Sequence, residues 1–295
     1  MVLLLTLLHV FCIAEVLSCS PTMSFDGEEH WTADELDQCE MHGTEYSPNL
    51  CYAHMINYQR LNVEVLFEDP ILVVFRNFAS QKDVAQFLLD AKKEELSLQE
   101  VVEMNETSTT YFVSNDRLAN GTFISHEGTA AISKVFKKAK AMIPFVNFEY
   151  SEDWQILSYL PGGHYRPHHD YFEYESETPL DDYTKIHGNR FATFLLVLQN
   201  AEKGGGTVFP YLRQTVLASP GDVIFWTNMR SNKELDKNSY HGACVVRKGE
   251  KVAAVLWVRE KFQDLLLYPH NAGGFDFDKL INPRLKLLQG FPICK

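Results

Sequence analysis

Positive charge is scarce in this chain of 295 residues: 27 Lys and Arg stand against 39 Asp and Glu, a formal net charge of −12. That shortage excludes nucleic acid and anionic membrane as partners and favours neutral or cationic ones. Cysteine is also sparse, and none of the six has the Cys-x2-Cys spacing of a zinc site. The apolar run from Val2 to about Ile13 is shorter than the ~20 residues of a helical span, so stable membrane insertion is not expected. No internal repeat or low-complexity segment stands out. What is present is ample for a core: 45% of residues are hydrophobic and 13% aromatic, enough for one large domain or two ordinary ones.

The opening "MVLLLTLLHVFCIAEVLSCS" reads as a secretory signal peptide cleaved near Ser18 to Ser20. Its first residues lack Lys and Arg, "VLSC" also resembles a bacterial lipoprotein cleavage box, and an uncleaved anchor is the competing reading. Cys12 and in one reading Cys19 leave with the signal, so Cys39, Cys51, Cys244 and Cys294 remain for two disulfides. The short loop between Cys39 and Cys51 favours that pair. The sequons at Asn105 and Asn120 agree with a secretory route and glycosylation.

From Met23 to Tyr58 the chain is acidic and aperiodic, which predicts an irregular arm held by its disulfide. Ser80 with Asp83 forms a capping box for a helix whose inner face carries Val84, Phe87, Leu88 and Ala91. A second helix is expected at "TAAISKVFKKAKAMI", burying Ile132, Val135, Phe136 and Ala139 and closed by Pro144. Beyond Pro144, seven or eight short β-rich runs separated by Gly and Pro predict a sandwich or barrel and not a βαβ sheet. The fold class is therefore α+β. Two polar stretches, 173–189 and 229–240, read as functional loops.

"GGHYRPHHDYF", Gly162 to Phe172, concentrates three histidines and an aspartate. On a strand, His168 and Asp170 share a face and His169 points away, while His164 shares that face about 13 Å along the strand. Two ligands from one strand need a third from elsewhere, and His241 in "SYHGACVV" is the best candidate. Two histidines and one carboxylate leave three positions of an octahedron open, the arrangement of non-haem iron oxygenases. In "GEKVAAVLWVRE" both faces are apolar, so Lys251 opens a strand that reads as buried. Such an ammonium either snorkels at the strand end or pairs with an anion.

"YLPGGHYRPHHDYF", "RFATFLLVLQNAEKGGGTVFP", "SPGDVIFWTN" and "HGACVVRKGEKVAAVLW" together resemble the catalytic domain of prolyl 4-hydroxylases, from about Phe67 to Phe262. The segment with Cys39 and Cys51 resembles the one preceding that domain in animal collagen-type α subunits. The resemblance implies a double-stranded β-helix, or jelly-roll, core with N-terminal supporting helices. With the readings above, the chain is expected to divide into a signal peptide (1–18), an acidic arm (19–65), a dioxygenase domain (66–265) and a tail (266–295). It implies Fe(II) held by His168, Asp170 and His241, with Lys251 gripping the distal carboxylate of 2-oxoglutarate, assisted by Tyr159 and Thr207. O2 is the other co-substrate and L-ascorbate the reductant. Tyr165, Arg190 and Trp257 match positions lining the substrate side, and the two polar loops match segments that fold over a bound peptide.

The implied reaction couples oxidative decarboxylation of 2-oxoglutarate to hydroxylation of proline in collagen-like or other secretory-pathway proteins. Action on another residue or protein, and a non-catalytic jelly-roll binding protein, are the alternatives. Lysyl hydroxylases carry arginine where this chain has Lys251, which favours the prolyl branch. His169 stands where Phe or Tyr is usual, and "FLLVLQ" lacks the Tyr or Ser often found there. The arm is too short for a separate peptide-binding domain, so processive action on procollagen is not expected. "FPICK" is not a Lys-Asp-Glu-Leu retention signal, so location in the endoplasmic reticulum implies a resident partner such as protein disulfide isomerase, and secretion is the other outcome.

Overall fold

A computed structural model describes residues 24–40, 50–104, 109–173, 182–269 and 273–281. The signal segment 1–18 and the sequon at Asn105 lie outside the described residues. No described helix is long and apolar enough to cross a membrane.

Two antiparallel sheets face each other. The larger has nine strands, in spatial order Leu50–Ile56, Gln59–Glu68, Ile71–Arg76, Val223–Thr227, Arg190–Gln199, Lys251–Arg259, Trp154–Tyr159, Asn120–Ile124 and Ser97–Leu98. The smaller has five: Gln214–Val216, Thr207–Phe209, His241–Ala243, His164–His168 and Arg117–Leu118. Strands distant in sequence are neighbours in both, as in a jelly roll and as the β-rich runs predicted.

Alternation along the central strands separates two apolar layers. Ala253, Val255 and Trp257 point between the sheets, where they meet Leu157, Tyr159, Leu195, Trp226 and Phe209. Val252, Ala254, Leu256 and Val258 point to the outer face and pack under two helices. The first helix, Gln81–Ala91, starts where the Ser80 hydroxyl accepts from the Asp83 amide, and it buries Val84, Phe87 and Ala91 while Leu88 is partly covered. The second, Ala130–Met142, is capped by Thr129 and buries Ile132, Val135, Phe136 and Ala139. Phe87 meets the Trp154 ring edge-on at 5.4 Å. Each such fully buried side chain contributes about 1.5–3 kcal/mol, so the two helices lock one face of the sheet and leave the other for the site.

The described parts of the expected irregular arm, 24–40 and 50–58, are ordered instead. Ala33–Glu40 is a helix, and Leu50–Ile56 pairs with Gln59–Glu68 as the edge hairpin of the large sheet. The helix sits on the small sheet: Gln38 donates to the Pro210 carbonyl, the Thr215 hydroxyl donates to the Gln38 carbonyl, and Arg247 pairs with Glu40. Acidic composition hid this element because its buried contacts are mostly polar.

The cysteine pairing also differs from expectation. Cys39 bonds Cys244 across 205 residues, with Cα atoms 5.5 Å apart, and Cys51 is disulfide-bonded to neither of them. A short loop lowers closure entropy, but the choice of partner follows docking. The helix bearing Cys39 lies on the small sheet beside Cys244, whereas Cys51 belongs to an edge strand of the large one. Asn120 is half-buried and its strand pairs on both sides, with Leu98 and with Ser158.

Candidate metal centre and co-substrate pocket

The small sheet brings the first two ligands together by register. His168 and His241 are partners on adjacent antiparallel strands, just past a bulge that follows Tyr165. Each ring is oriented by its own backbone: His168 Nδ1 donates to the Arg166 carbonyl at 2.8 Å, and His241 Nδ1 to the Ser239 carbonyl at 2.9 Å. A carbonyl only accepts, so each Nδ1 carries the proton and each Nε2 presents a lone pair. Asp170 lies two residues beyond the strand end and turns its carboxylate between them, 3.6 Å from His168 Nε2 and 3.6 Å from His241 Nε2.

Those separations are too long for hydrogen bonds. Ligand atoms about 2.0–2.2 Å from a common ion, at the right angles of one octahedral face, stand about 3 Å apart, so a small inward shift brings these donors to that spacing. All three donor atoms lie within 4.8 Å of one another, and no other such group occurs among the described residues. The residues therefore fit an iron(II) ion with open positions. Burial alone raises the Asp170 carboxyl, but the adjacent His241 and His168 outweigh it and hold the group well below the usual carboxylate range. Burial pushes His241 down to about 4, so its imidazole is neutral at physiological pH.

The other two histidines of the cluster stand apart. His169 sends Nε2 to the Lys237 carbonyl at 3.2 Å, packs on Tyr240 and is not part of the cluster of three donors. His164 is buried against Phe25 and Trp31, with its nitrogens on the Gly162 and Asn115 carbonyls.

Between the sheets, a pocket runs from the triad past Thr193, Leu195 and Trp226 to Tyr159, Thr207 and Lys251. Lys251 is the register partner of Tyr159, and its ammonium lies 5.7 Å from that ring's centre. It is buried and has no ion-pair or hydrogen-bond partner among the described residues; burial alone brings it down to about 8. Burial likewise pushes the Tyr159 hydroxyl up to about 12, which keeps it protonated as a donor. An unpaired cation buried in a largely apolar pocket is costly unless an anion joins it.

Toward solvent the triad opens on a wide cleft. Tyr165 stacks on His168 with centroids 3.6 Å apart, and Arg117 covers the Tyr165 ring. Arg190 binds Glu152 through two contacts of 2.7 and 2.9 Å and lies 3.5 Å over the Trp257 ring. Tyr165, Arg190 and Trp257 thus form one wall beside the metal ligands. Sequence reasoning did not find Glu152, Arg117, Trp226, Thr193 or Asn228. Thr193 left a usable signal, a lone hydroxyl in the apolar run "FATFLL"; the others left none.

Residues 154–259 match the profile of the 2OG-Fe(II) oxygenase superfamily. Prolyl 4-hydroxylase 5 of Arabidopsis thaliana is 32% identical over 215 residues, covering 66% of this chain and 70% of that one. Prolyl 4-hydroxylase subunit alpha-2 of Caenorhabditis elegans is 31% identical over 206 residues, 69% of this chain but only 37% of the nematode protein. A viral collagen prolyl hydroxylase from Paramecium Bursaria Chlorella virus-1 superposes with a TM-score of 0.49 at 24% identity, over 64% of this chain and 95% of that one. Triad, pocket and sequence agree: the chain belongs to the prolyl 4-hydroxylases, 2-oxoglutarate-dependent dioxygenases that use iron(II) and O2.

Proposed function

We propose that this protein hydroxylates proline in peptides or proteins of the secretory pathway, with oxidative decarboxylation of 2-oxoglutarate to succinate. One observation carries the reading: a buried, unpaired Lys251 shares a single pocket with the His168, Asp170 and His241 cluster. A dicarboxylate spans such a pocket, one end at the metal and the other at an ammonium. Bound iron supplies the activation of O2 that an unactivated ring carbon requires.

The protein's residues do the rest. Lys251 holds the distal carboxylate by a charge-assisted hydrogen bond, and Tyr159 and Thr207, which line the same pocket, offer it hydroxyl donors. Leu157, Leu195, Ala253 and Val255 keep water from the co-substrate. Tyr165, Trp257 and the Arg190–Glu152 pair present a flat, rigid wall against which a proline ring can pack beside the metal. The Cys39–Cys244 disulfide suits an oxidising compartment, and we assign the protein to the endoplasmic reticulum lumen or the secreted fraction, with protein disulfide isomerase as a candidate partner.

Release of labelled CO2 from 2-oxoglutarate, with and without (Pro-Pro-Gly) peptides, tests this, and mass spectrometry of the peptide locates the added oxygen. Stimulated decarboxylation with oxygen on proline is expected. Turnover indifferent to such peptides would redirect the assignment to another residue or protein, and no iron-dependent turnover would sink it.

A further inference from the structure

The strand Arg190–Gln199 turns Thr193, Leu195 and Val197 toward the space between the sheets, and two of these three are aliphatic. Thr193 is buried, flanked in register by Trp226 on one side and Trp257 on the other. Valine has the same shape, suits a strand at least as well and carries no hydroxyl to desolvate, so packing alone does not explain threonine. The hydroxyl has two partners. It lies 2.6 Å from Asp170 Oδ2 and 2.9 Å from Asn228 Nδ2, and Asn228 is fully buried.

The directions of these bonds follow from chemistry. A carboxylate only accepts, so the single Thr193 proton goes to Asp170. The Thr193 oxygen then has only lone pairs for Asn228, which must present its NH2 and not its carbonyl. The Asn228 backbone is fixed in turn: its amide donates to the Phe191 carbonyl, and its carbonyl accepts from the Asp236 amide. The large sheet thereby reaches across the pocket to orient a ligand carried by the small one.

We propose that Asn228 and Thr193 form a hydrogen-bond relay that holds the Asp170 carboxylate in its metal-binding rotation, with Thr193 as the positioning residue. It rests on the metal-site reading above. The backbone carbonyls of Arg166 and Ser239 perform the same task for the two imidazoles, but a carboxylate offers no N–H for a carbonyl to fix and needs a donor instead. The relay supplies that donor.

The test uses Mn(II) alone, with free ion read by electron paramagnetic resonance on the full chain, 2-oxoglutarate absent. Thr193→Val is expected to weaken Mn(II) binding about 10- to 100-fold, and Thr193→Ser to restore it to within a few fold. Asn228→Leu should weaken it less, and the double variant should be no worse than Thr193→Val, because the two residues act as one unit. If Thr193→Val does not fold, Thr193→Ala takes its place. Wild-type affinity in the folded valine or alanine variant, failure of serine to rescue, or additive losses would each overturn the relay. A purely structural Thr193 would lower the melting temperature of the metal-free protein and leave Mn(II) affinity unchanged. Should wild type itself not bind Mn(II), or bind it equally well as His241→Ala, the metal-site reading fails; wild-type binding with an unaffected valine variant sinks the relay alone.

Discussion

His168 and His241 face each other as register partners on two antiparallel strands, ring centroids 4.5 Å apart, each with Nδ1 tied to the carbonyl two residues earlier. Strand pairing sets their distance and the backbone sets their tautomer, so two of the three ligands are preorganised before any ion arrives. Asp170 completes the set from just beyond the strand end.

His168→Ala should abolish metal binding, because it removes an Nε2 from the cluster. His169→Ala should bind metal like wild type, since its ring is engaged with Lys237 and Tyr240. Equilibrium dialysis with Mn(II) separates the two, and equal loss in both variants would mean that His169 also acts on the centre.

Lys251→Ala is expected to raise the KM for 2-oxoglutarate by about 10- to 100-fold, the worth of a charge-assisted hydrogen bond of about 1.5–3 kcal/mol. Metal affinity should change little, because the ammonium is not a ligand. Parallel titrations of co-substrate and Mn(II) check this. Comparable losses in both would contradict the assigned role.

Affinity for 2-oxoglutarate should fall as pH rises through about 8, where burial places the Lys251 ammonium. The sign follows from charge: the dianion binds the protonated lysine, so affinity is complete below that pH and drops about tenfold per unit above it. Binding calorimetry in buffers of different ionisation enthalpy should also show proton uptake near pH 8. A flat profile from pH 7 to about 10 would exclude Lys251 as the anchor.

Peptide mapping under non-reducing conditions should recover Cys39 joined to Cys244 and not to Cys51. Cys39→Ser should destabilise the protein by about 2–5 kcal/mol and detach the Ala33–Glu40 helix from the strand bearing His241. Thermal unfolding with and without reductant reads the effect. A melting temperature unchanged by the substitution would show that the bond contributes nothing to the fold.

The two supporting helices were legible because capping residue and apolar spacing are local: Ser80 with Asp83, and Val84, Phe87 and Ala91 on one face, need no knowledge of what they pack on. The strand Lys251–Arg259 was legible for the same reason, since period-two alternation assigned its two faces correctly. The ordered N-terminal helix was not, because Gln38 is buried by hydrogen bonds to backbone carbonyl and side-chain groups that lie far away in sequence. Glu152 was invisible too: its value comes from Arg190 and Arg259, on strands that become adjacent only in the folded sheet.

By itself the sequence determined the chemistry on offer: two imidazoles, a carboxylate and a lone amine at the head of an apolar strand, although the strand bearing His168 ends there and Asp170 reaches the site from beyond it. Only the tertiary structure decided which partners those groups meet, pairing Cys39 with Cys244, Asp170 with Thr193 and Lys251 with Tyr159. The reason is physical. Side-chain alternation is fixed by covalent geometry within a few residues, whereas contacts across two sheets depend on register, bulges and packing summed over the whole chain.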